Sequence, residues 1–156
     1  MIKNIKIICV LFFIAIILIS CEKPNETVNV NINEIYSEIE QSVGLPEFIS
    51  IDKTDVTEYY GLNPNDFDEI FIQMCLISIN ADEIVICKAT DAESLQRLEQ
   101  GFNNYLENRR NVFMSYAPLE HEKLKNTKVK TFDFYVYYAV SDDVKIIDDI
   151  FSKYFK

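Results

Sequence analysis

Two apolar runs decide the fold: IFIQMCLISI at residues 70–79 and EIVICK at residues 83–88. Both runs are rich in β-branched residues, and only the polar break Asn80-Ala81-Asp82 separates them. This pattern predicts a β-hairpin. Apolar side chains occupy both alternating sets of positions, so we expect both faces of the two strands to be covered by other parts of the chain.

Helical patterns flank the hairpin. Apolar residues recur at helical spacing from Ile32 to Val43, and a brief helix capped by Thr54 or Asp55 is expected to end at Tyr60-Gly61. A long amphipathic helix is predicted from Asp91 to Ser115.

Beyond a short helix that begins at Pro118, strict alternation from Thr127 to Val140 predicts one strand with a single core face. Ser141 is then expected to cap a final helix. The element order α-β-β-α-β-α predicts an α+β domain, with a small antiparallel sheet of about three or more strands packed by helices.

The N-terminus has the pattern of a secretory signal. Lys3 and Lys6 precede an apolar run at residues 7–19, which as a helix spans roughly 20 Å, less than a hydrocarbon core of about 30 Å. The run ends in Leu18-Ile19-Ser20-Cys21, which resembles a bacterial lipobox. We therefore expect a lipoprotein signal peptide at residues 1–20 and a lipidated Cys21; the alternatives are an ordinary signal peptide or an uncleaved anchor.

This interpretation divides the chain into three parts. Residues 21–31 are expected to form a flexible tether, and residues 32–156 a single α+β domain. The expected location is the cell membrane, with the domain lipid-anchored on its extracytoplasmic face. The membrane, through the N-terminal lipid, is then one partner, and another envelope protein or a small ligand is a second.

Composition excludes several function classes. The chain has 25 acidic and 15 basic residues, a net charge of −10, which argues against nucleic-acid binding. It has only three glycines, so glycine-rich phosphate loops are not expected. No cofactor and no metal site are predicted; the acidic pairs at 142–143 and 148–149 have side chains that attract cations but lack EF-hand spacing.

Several short motifs occur in a characteristic order: Tyr60-Gly61, the turn at residues 80–84, Tyr116-Ala117-Pro118 after the long helix, and Tyr135 before Ser141-Asp142-Asp143. In this order they resemble an uncharacterised domain-of-unknown-function family (DUF4358-like) of lipoproteins found in Gram-positive bacteria. The resemblance runs from about Leu45 to the C-terminal helix and implies no activity. Such sequences tend to have a glycine before the last strand, where this chain has Asp133-Phe134-Tyr135.

Arg109 is the most informative charged residue. It lies on the stripe of the long helix that otherwise faces the core, so its charge requires a partner. That partner is expected to be a carboxylate such as Asp82 or Glu83. Alternatively, the Arg109 side chain extends to solvent. The functional alternative is that Arg109, with Tyr135 nearby, binds the anionic group of a ligand. Tyr135 itself is expected either to pack beneath a helix or to be exposed for stacking on a glycan or a partner protein.

Two cysteines remain in the predicted domain. A three-residue loop places Cys75 and Cys87 opposite each other across the hairpin, which makes a disulfide possible. Two buried free thiols explain the same positions and are favoured.

The sequence does not identify a catalytic centre. The single histidine, His121, is followed by Glu122 but has no second ligand four residues on, and no Gly-x-Ser-x-Gly motif is present. Whether the chain is an enzyme stays uncertain, and the favoured interpretation is a non-enzymatic binding or protein-interaction module. The alternatives are a small solute- or anion-binding domain using Arg109, or a cell-wall hydrolase whose carboxylate pair is drawn from Asp66, Asp68, Glu69, Asp82 and Glu83.

Overall fold

The structure is a computed structural model that describes residues 28–155. The predicted signal peptide at residues 1–20 and the predicted lipidation site Cys21 lie outside the described residues. Within residues 28–155, no helix combines the length and the apolar character needed to cross a membrane.

The described residues form five helices and five strands. In chain order these are α1 (Ile32–Ser42), β1 (Phe48–Ser50), α2 (Val56–Tyr60), β2 (Phe67–Cys75), β3 (Glu83–Ala89), α3 (Ala92–Phe113), α4 (Pro118–Asn126), β4 (Lys130–Phe132), β5 (Tyr135–Val140) and α5 (Val144–Lys153). Local chemistry sets several of these bounds. The Asp91 carboxylate accepts from the Ser94 N–H at 2.7 Å to cap α3, and Gly61 ends α2 with a φ of 68°, a conformation that glycine adopts without strain.

All five strands pair antiparallel in one sheet of order β1-β2-β3-β5-β4. The central strand β3 is buried except at Lys88, and every residue of β5 is buried. Helices cover both faces of the sheet, as expected for the hairpin, and the fold is the predicted α+β class.

The core is divided between the two faces. On one face, here called the α3 face, helices α2, α3 and α4 pack against Val85, Cys87 and Tyr138. On the other, the α1 face, helices α1 and α5 pack against Ile84 and Tyr137. The central strands β3 and β5 contribute side chains to both clusters. Burial of each large apolar side chain stabilises the fold by about 1.5–3 kcal/mol.

The predicted single strand from Thr127 to Val140 is wrong. Residues 130–132 and 135–140 are two strands, and Asp133 and Phe134 form the turn between them, with Asp133 at a φ of 50°. Because the turn has two residues, Phe132 faces Tyr135 across the ladder and both pack on the α1 face. The expectation of one core face for β5 is also wrong, because α1 and α5 cover the second face.

Two smaller expectations also change. The loop between β2 and β3 comprises residues 76–82 rather than three residues, since pairing ends at Met74 and Glu83. Ser141 is not the N-cap of α5; that position is Asp143, whose N–H donates to the Ser141 hydroxyl at 3.1 Å.

The N-terminal segment, residues 28–31, is attached to the domain although the sequence predicted it as tether. The Val28 N–H donates to Asp133 Oδ2 at 2.9 Å, and Lys88 Nζ donates to the Asn29 side chain at 2.9 Å. The Val30 N–H donates to the Tyr135 hydroxyl at 3.3 Å. These hydrogen bonds satisfy backbone and side-chain groups at the β4–β5 turn, so the domain begins before residue 32.

Candidate functional site

A cleft of about 400 Å³ opens on the α3 face, between the β2–β3 loop and the C-terminal half of α3. Its lining consists of Tyr59, Met74, Cys75, Ile77, Ser78, Asn80, Tyr105, Asn108, Arg109, Val112 and Phe113. The volume lies near the lower end of the range of about 300–1,000 Å³ that is typical of ligand sites. We refer to it as the Arg109 cleft.

One half of the β2–β3 loop is firmly held. The Cys75 N–H donates to the Asp82 carbonyl at 3.0 Å, and the Asp82 N–H donates to Asn80 Oδ1 at 2.6 Å. Ala81 is fully buried, and its N–H donates to the Glu120 carboxylate of α4 at 2.8 Å. The other half, residues 76–79, therefore projects from a fixed base.

Large apolar side chains are exposed around the cleft. They lie on the projecting half of the loop, on α2, on α3 and in the connection that follows α3, and they are 49–64% exposed: Tyr59, Leu76, Ile77, Ile79, Val112, Met114 and Tyr116. We call these seven residues the apolar rim; three of them, Tyr59, Ile77 and Val112, line the cleft itself. The Tyr116 hydroxyl donates to the Ser78 carbonyl at 3.3 Å, which joins the helical and loop parts of the rim. Exposed apolar residues gathered in one place are typical of an interaction surface.

Arg109 has the carboxylate partner that the sequence called for. Its Nη1 donates to Oε2 of Glu83, which is fully buried, while the Arg109 side chain is 14% exposed. Its guanidinium carbon lies 5.8 Å from the ring centre of Tyr105 and 5.2 Å from that of Phe113. Burial is the largest influence and lowers the pKa of Arg109, but the charge and hydrogen bond of Glu83, together with the neighbouring Tyr105 and Tyr138, outweigh it and the pKa is raised, so the side chain stays cationic.

Three tyrosines complete the polar cluster beneath the cleft. The Tyr60 hydroxyl donates to Oε1 of Glu83, and the rings of Tyr60 and Tyr105 are 4.3 Å apart. The Tyr138 hydroxyl is buried and has no hydrogen-bond partner among residues 28–155. Burial, reinforced by the charge of Glu83, raises the pKa of all three phenols, so they stay protonated at neutral pH.

Asp82 belongs to a different ion pair. Its carboxylate contacts Lys123 Nζ at 2.7 Å, and Lys123 also contacts Glu120 at 2.9 Å. Burial lowers the pKa of Lys123, but its hydrogen bonds to the two carboxylates outweigh this and raise it. Asp82 therefore fixes the loop to α4 and does not share a site with Arg109.

Tyr135 does not join Arg109 either. Tyr135 is opposite Lys88 and Glu83 is opposite Val140, so the two residues lie at opposite ends of the paired strands. Tyr135 is also fully buried on the α1 face, where it contacts the N-terminal segment, whereas the cleft is on the α3 face. The exposed-aromatic alternative for Tyr135 is therefore wrong, because α1 and α5 cover this face.

Cys75 and Cys87 are free, buried thiols. Cys87 is opposite Ile70, while Cys75 lies five residues along β2, opposite Phe48 of β1. The separation along the strand is about 17 Å, far beyond disulfide reach. The predicted three-residue loop would have aligned them; the longer loop does not.

The carboxylates proposed for a hydrolase are dispersed or paired. Asp66 is 6% exposed and forms a bidentate pair with Arg97, with Arg97 Nη2 at 2.8 Å from Oδ1. Asp68 and Glu69 are exposed neighbours on β2. Within the described part of the chain, no group of three or more His, Cys, Asp or Glu side chains is placed to hold a metal ion.

Sequence reasoning missed the tyrosine cluster and the apolar rim. Tyr105 is one helical turn before Arg109, a spacing that brings side chains together and could have suggested it. Residues 76–79 continue an apolar run, a pattern that predicts strand. No local signal marks the point at which this run leaves the sheet.

Comparison with protein families gives one match: the model described as Domain of unknown function (DUF4358) matches residues 41–141. These residues contain the sheet, α3, α4 and the whole Arg109 cleft. No curated protein and no solved structure gives a significant match.

Proposed function

Because the chain belongs to the family described as a domain of unknown function, DUF4358, its role rests on its own residues, and we propose that it is a membrane-tethered, non-enzymatic binding module. In this proposal Cys21 carries the lipid, and the apolar rim with the Arg109 cleft is the binding surface for another envelope protein.

The observation that carries the proposal is the apolar rim. Seven large side chains, each about half exposed or more, lie in or beside one cleft in a chain whose net charge is −10. Each such side chain that a partner covers contributes up to about 1.5–3 kcal/mol. The anchors of the loop, the buried Ala81 and the partly buried Asp82, hold this surface in place without a partner.

The position of the N-terminal segment supports this function. Val28 and Asn29 attach at the β4–β5 turn, beside Lys88, whereas the β2–β3 loop precedes Glu83 at the other end of β3. Five residues of strand place these ends about 17 Å apart. A lipid on Cys21 then puts the attachment end nearer the membrane and the apolar rim away from it, where proteins rather than lipid are its neighbours.

The state of the carboxylates favours binding over hydrolysis. A glycosidase needs one carboxyl as proton donor and a second as nucleophile or base in one cleft. Here Glu83 is bound by Arg109 and Tyr60, Asp66 by Arg97, and Asp82 by Lys123. None of these three lines the Arg109 cleft.

Photo-crosslinking in intact cells of the native host tests the proposal. The full chain carries p-benzoylphenylalanine at position 77, in the rim, or at position 146, an exposed apolar site on α5. We expect a discrete protein adduct from position 77 and none from position 146. Equal adduct patterns at both positions, or none at position 77, would refute the binding surface.

Membrane tethering is tested on the same chain by detergent phase separation. We expect the unaltered chain in the detergent phase and the Cys21→Ser variant to lose lipid attachment and signal cleavage at residue 20. Recovery of a cleaved, acylated chain from the Cys21→Ser variant would refute the lipidation site.

A further inference from the structure

The lining of the Arg109 cleft differs from the acidic surface of the chain as a whole. The chain has 25 acidic and 15 basic residues, yet none of the cleft-lining residues is acidic and Arg109 is the one cation among them. The remaining lining is apolar or neutral. The charge of Arg109 is balanced by the buried Glu83 beneath it, but a carboxylate that enters the cleft meets no acidic side chain in the lining.

The Arg109 guanidinium is held in a fixed orientation. One of its N–H groups donates to Glu83, which also accepts a hydrogen bond from Tyr60. The rings of Tyr105 and Phe113 flank the guanidinium. The other N–H groups donate to no acceptor within residues 28–155. A guanidinium presents five donors in a planar fork, so an oriented fork with free donors in a cleft matches a carboxylate.

The rest of the cleft combines apolar and polar groups. Met74, Ile77 and Val112 supply apolar contact, while Ser78 and Asn108 are exposed polar residues beside them. A saturated acyl chain makes no use of the hydroxyl and amide groups, whereas the N–H and C=O groups of a polypeptide backbone do. The volume of about 400 Å³ suits a short segment rather than a folded surface.

We infer that the Arg109 cleft binds the C-terminal end of a partner polypeptide whose last residues are apolar, with the free α-carboxylate paired to Arg109. This inference rests on the proposed binding function and names its ligand. The apolar rim then contacts the residues that precede the C-terminus.

Two matched pools of hexapeptides test the inference, each with leucine, isoleucine, valine or phenylalanine at the last three positions. One pool has free C-terminal carboxylates and the other C-terminal amides. The full chain, immobilised in detergent, is exposed to both, and retained peptides are counted by mass spectrometry. We expect at least about tenfold enrichment of acids over amides, which corresponds to one charge-assisted hydrogen-bonded pair. Equal retention of the two pools would overturn the inference.

Variants on α3 give a matched control that leaves the buried ion pair intact. Asn108→Asp adds a carboxylate to the cleft, and Asn104→Asp makes the same change on the same helix at an exposed position outside the cleft lining. We expect Asn108→Asp to reduce retention of the acid pool about tenfold and Asn104→Asp to leave it unchanged. Equal effects of the two variants would contradict the site.

Octanoate as competitor separates a peptide end from a fatty acid. We expect it to leave retention of the acid pool unchanged, and displacement at low concentration would assign the cleft to acyl chains instead. If these binding tests fail while position 77 still gives a protein adduct, only the C-terminal ligand is refuted. If position 77 gives no adduct, the proposed function itself is refuted.

Discussion

Arg109 of α3 and Glu83, the first residue of β3, form an ion pair that spans the boundary between the helix layer and the sheet. The Glu83 carboxylate is fully buried and the Arg109 side chain is 14% exposed. Removal of one partner leaves the other charge in a region of low polarity, which typically costs about 3–5 kcal/mol.

We therefore predict that Glu83→Ala and Arg109→Ala each lower the free energy of unfolding by about 3–5 kcal/mol, as measured by urea denaturation. The double variant Glu83→Leu/Arg109→Met is expected to lose far less than the sum, because it leaves no unpaired charge. Lys145→Ala is the control: its pair with Asp149 is exposed, and its loss costs at most about 1 kcal/mol. Additive single and double losses would contradict the coupling.

The tyrosine cluster predicts an alkaline transition. Burial raises the pKa of Tyr60, Tyr105 and Tyr138 above the ordinary value of 10.0, so between that pH and the folded-state pKa the folded chain binds more protons than the unfolded chain. The stabilisation that these three phenols contribute is fully present below about pH 10 and is lost as the pH rises.

The measurement is absorbance of the phenolate form during a pH titration, followed together with circular dichroism. We expect the three buried phenols to ionise only as secondary structure is lost. Ionisation of these three phenols while the fold persists would contradict the buried cluster.

Asp133 is predicted to tolerate glycine and reject β-branched residues. Its φ of 50° costs a non-glycine residue about 1–2 kcal/mol, and a β-branched side chain more than Asp. We expect Asp133→Val to lower the free energy of unfolding by about 1–2 kcal/mol. Asp133→Gly is expected near neutral, since relief of strain offsets loss of the Val28 hydrogen bond. Thr131→Val, at the exposed position of β4, is the control. An Asp133→Val variant more stable than the unaltered chain would contradict the positive φ at this turn.

The two thiols of the domain are predicted to stay reduced and to differ in reactivity. Burial raises the pKa of Cys87, and Cys75 lines the Arg109 cleft. Alkylation of the folded full chain, with peptide mapping by mass spectrometry, should label Cys75 before Cys87. Both should be labelled in denaturant without reductant. A Cys75–Cys87 disulfide in the non-reduced peptide map would contradict the strand register.

The fold was largely accessible from the sequence because the local signals agree with the packing. The continuous apolar run within residues 83–88 specifies a central strand that is covered on both faces, and the stripe from Leu98 to Phe113 specifies the buried face of α3. The need of Arg109 for a carboxylate also identified Glu83 as one of two candidates. The first two of these inferences depend on residues close together in the chain.

The failed predictions depend on contacts that the local apolar pattern does not reveal. Alternation continues through the turn at Asp133, so a hairpin and a single strand look alike until β4 is seen beside β5. The pattern around Tyr135 gave no indication that α1, about a hundred positions earlier, covers it. Likewise, the run at residues 76–79 is apolar whether it continues a strand or projects from one.

The attachment of residues 28–31 has a mechanical consequence. Tension on the chain ahead of Val28 acts first on the hydrogen bonds to Asp133, Lys88 and Tyr135, which can break in sequence without disturbing the sheet. Detachment of the four residues adds up to about 14 Å of extended chain before tension reaches α1. Under tension the N-terminal segment can thus lengthen while the sheet stays intact.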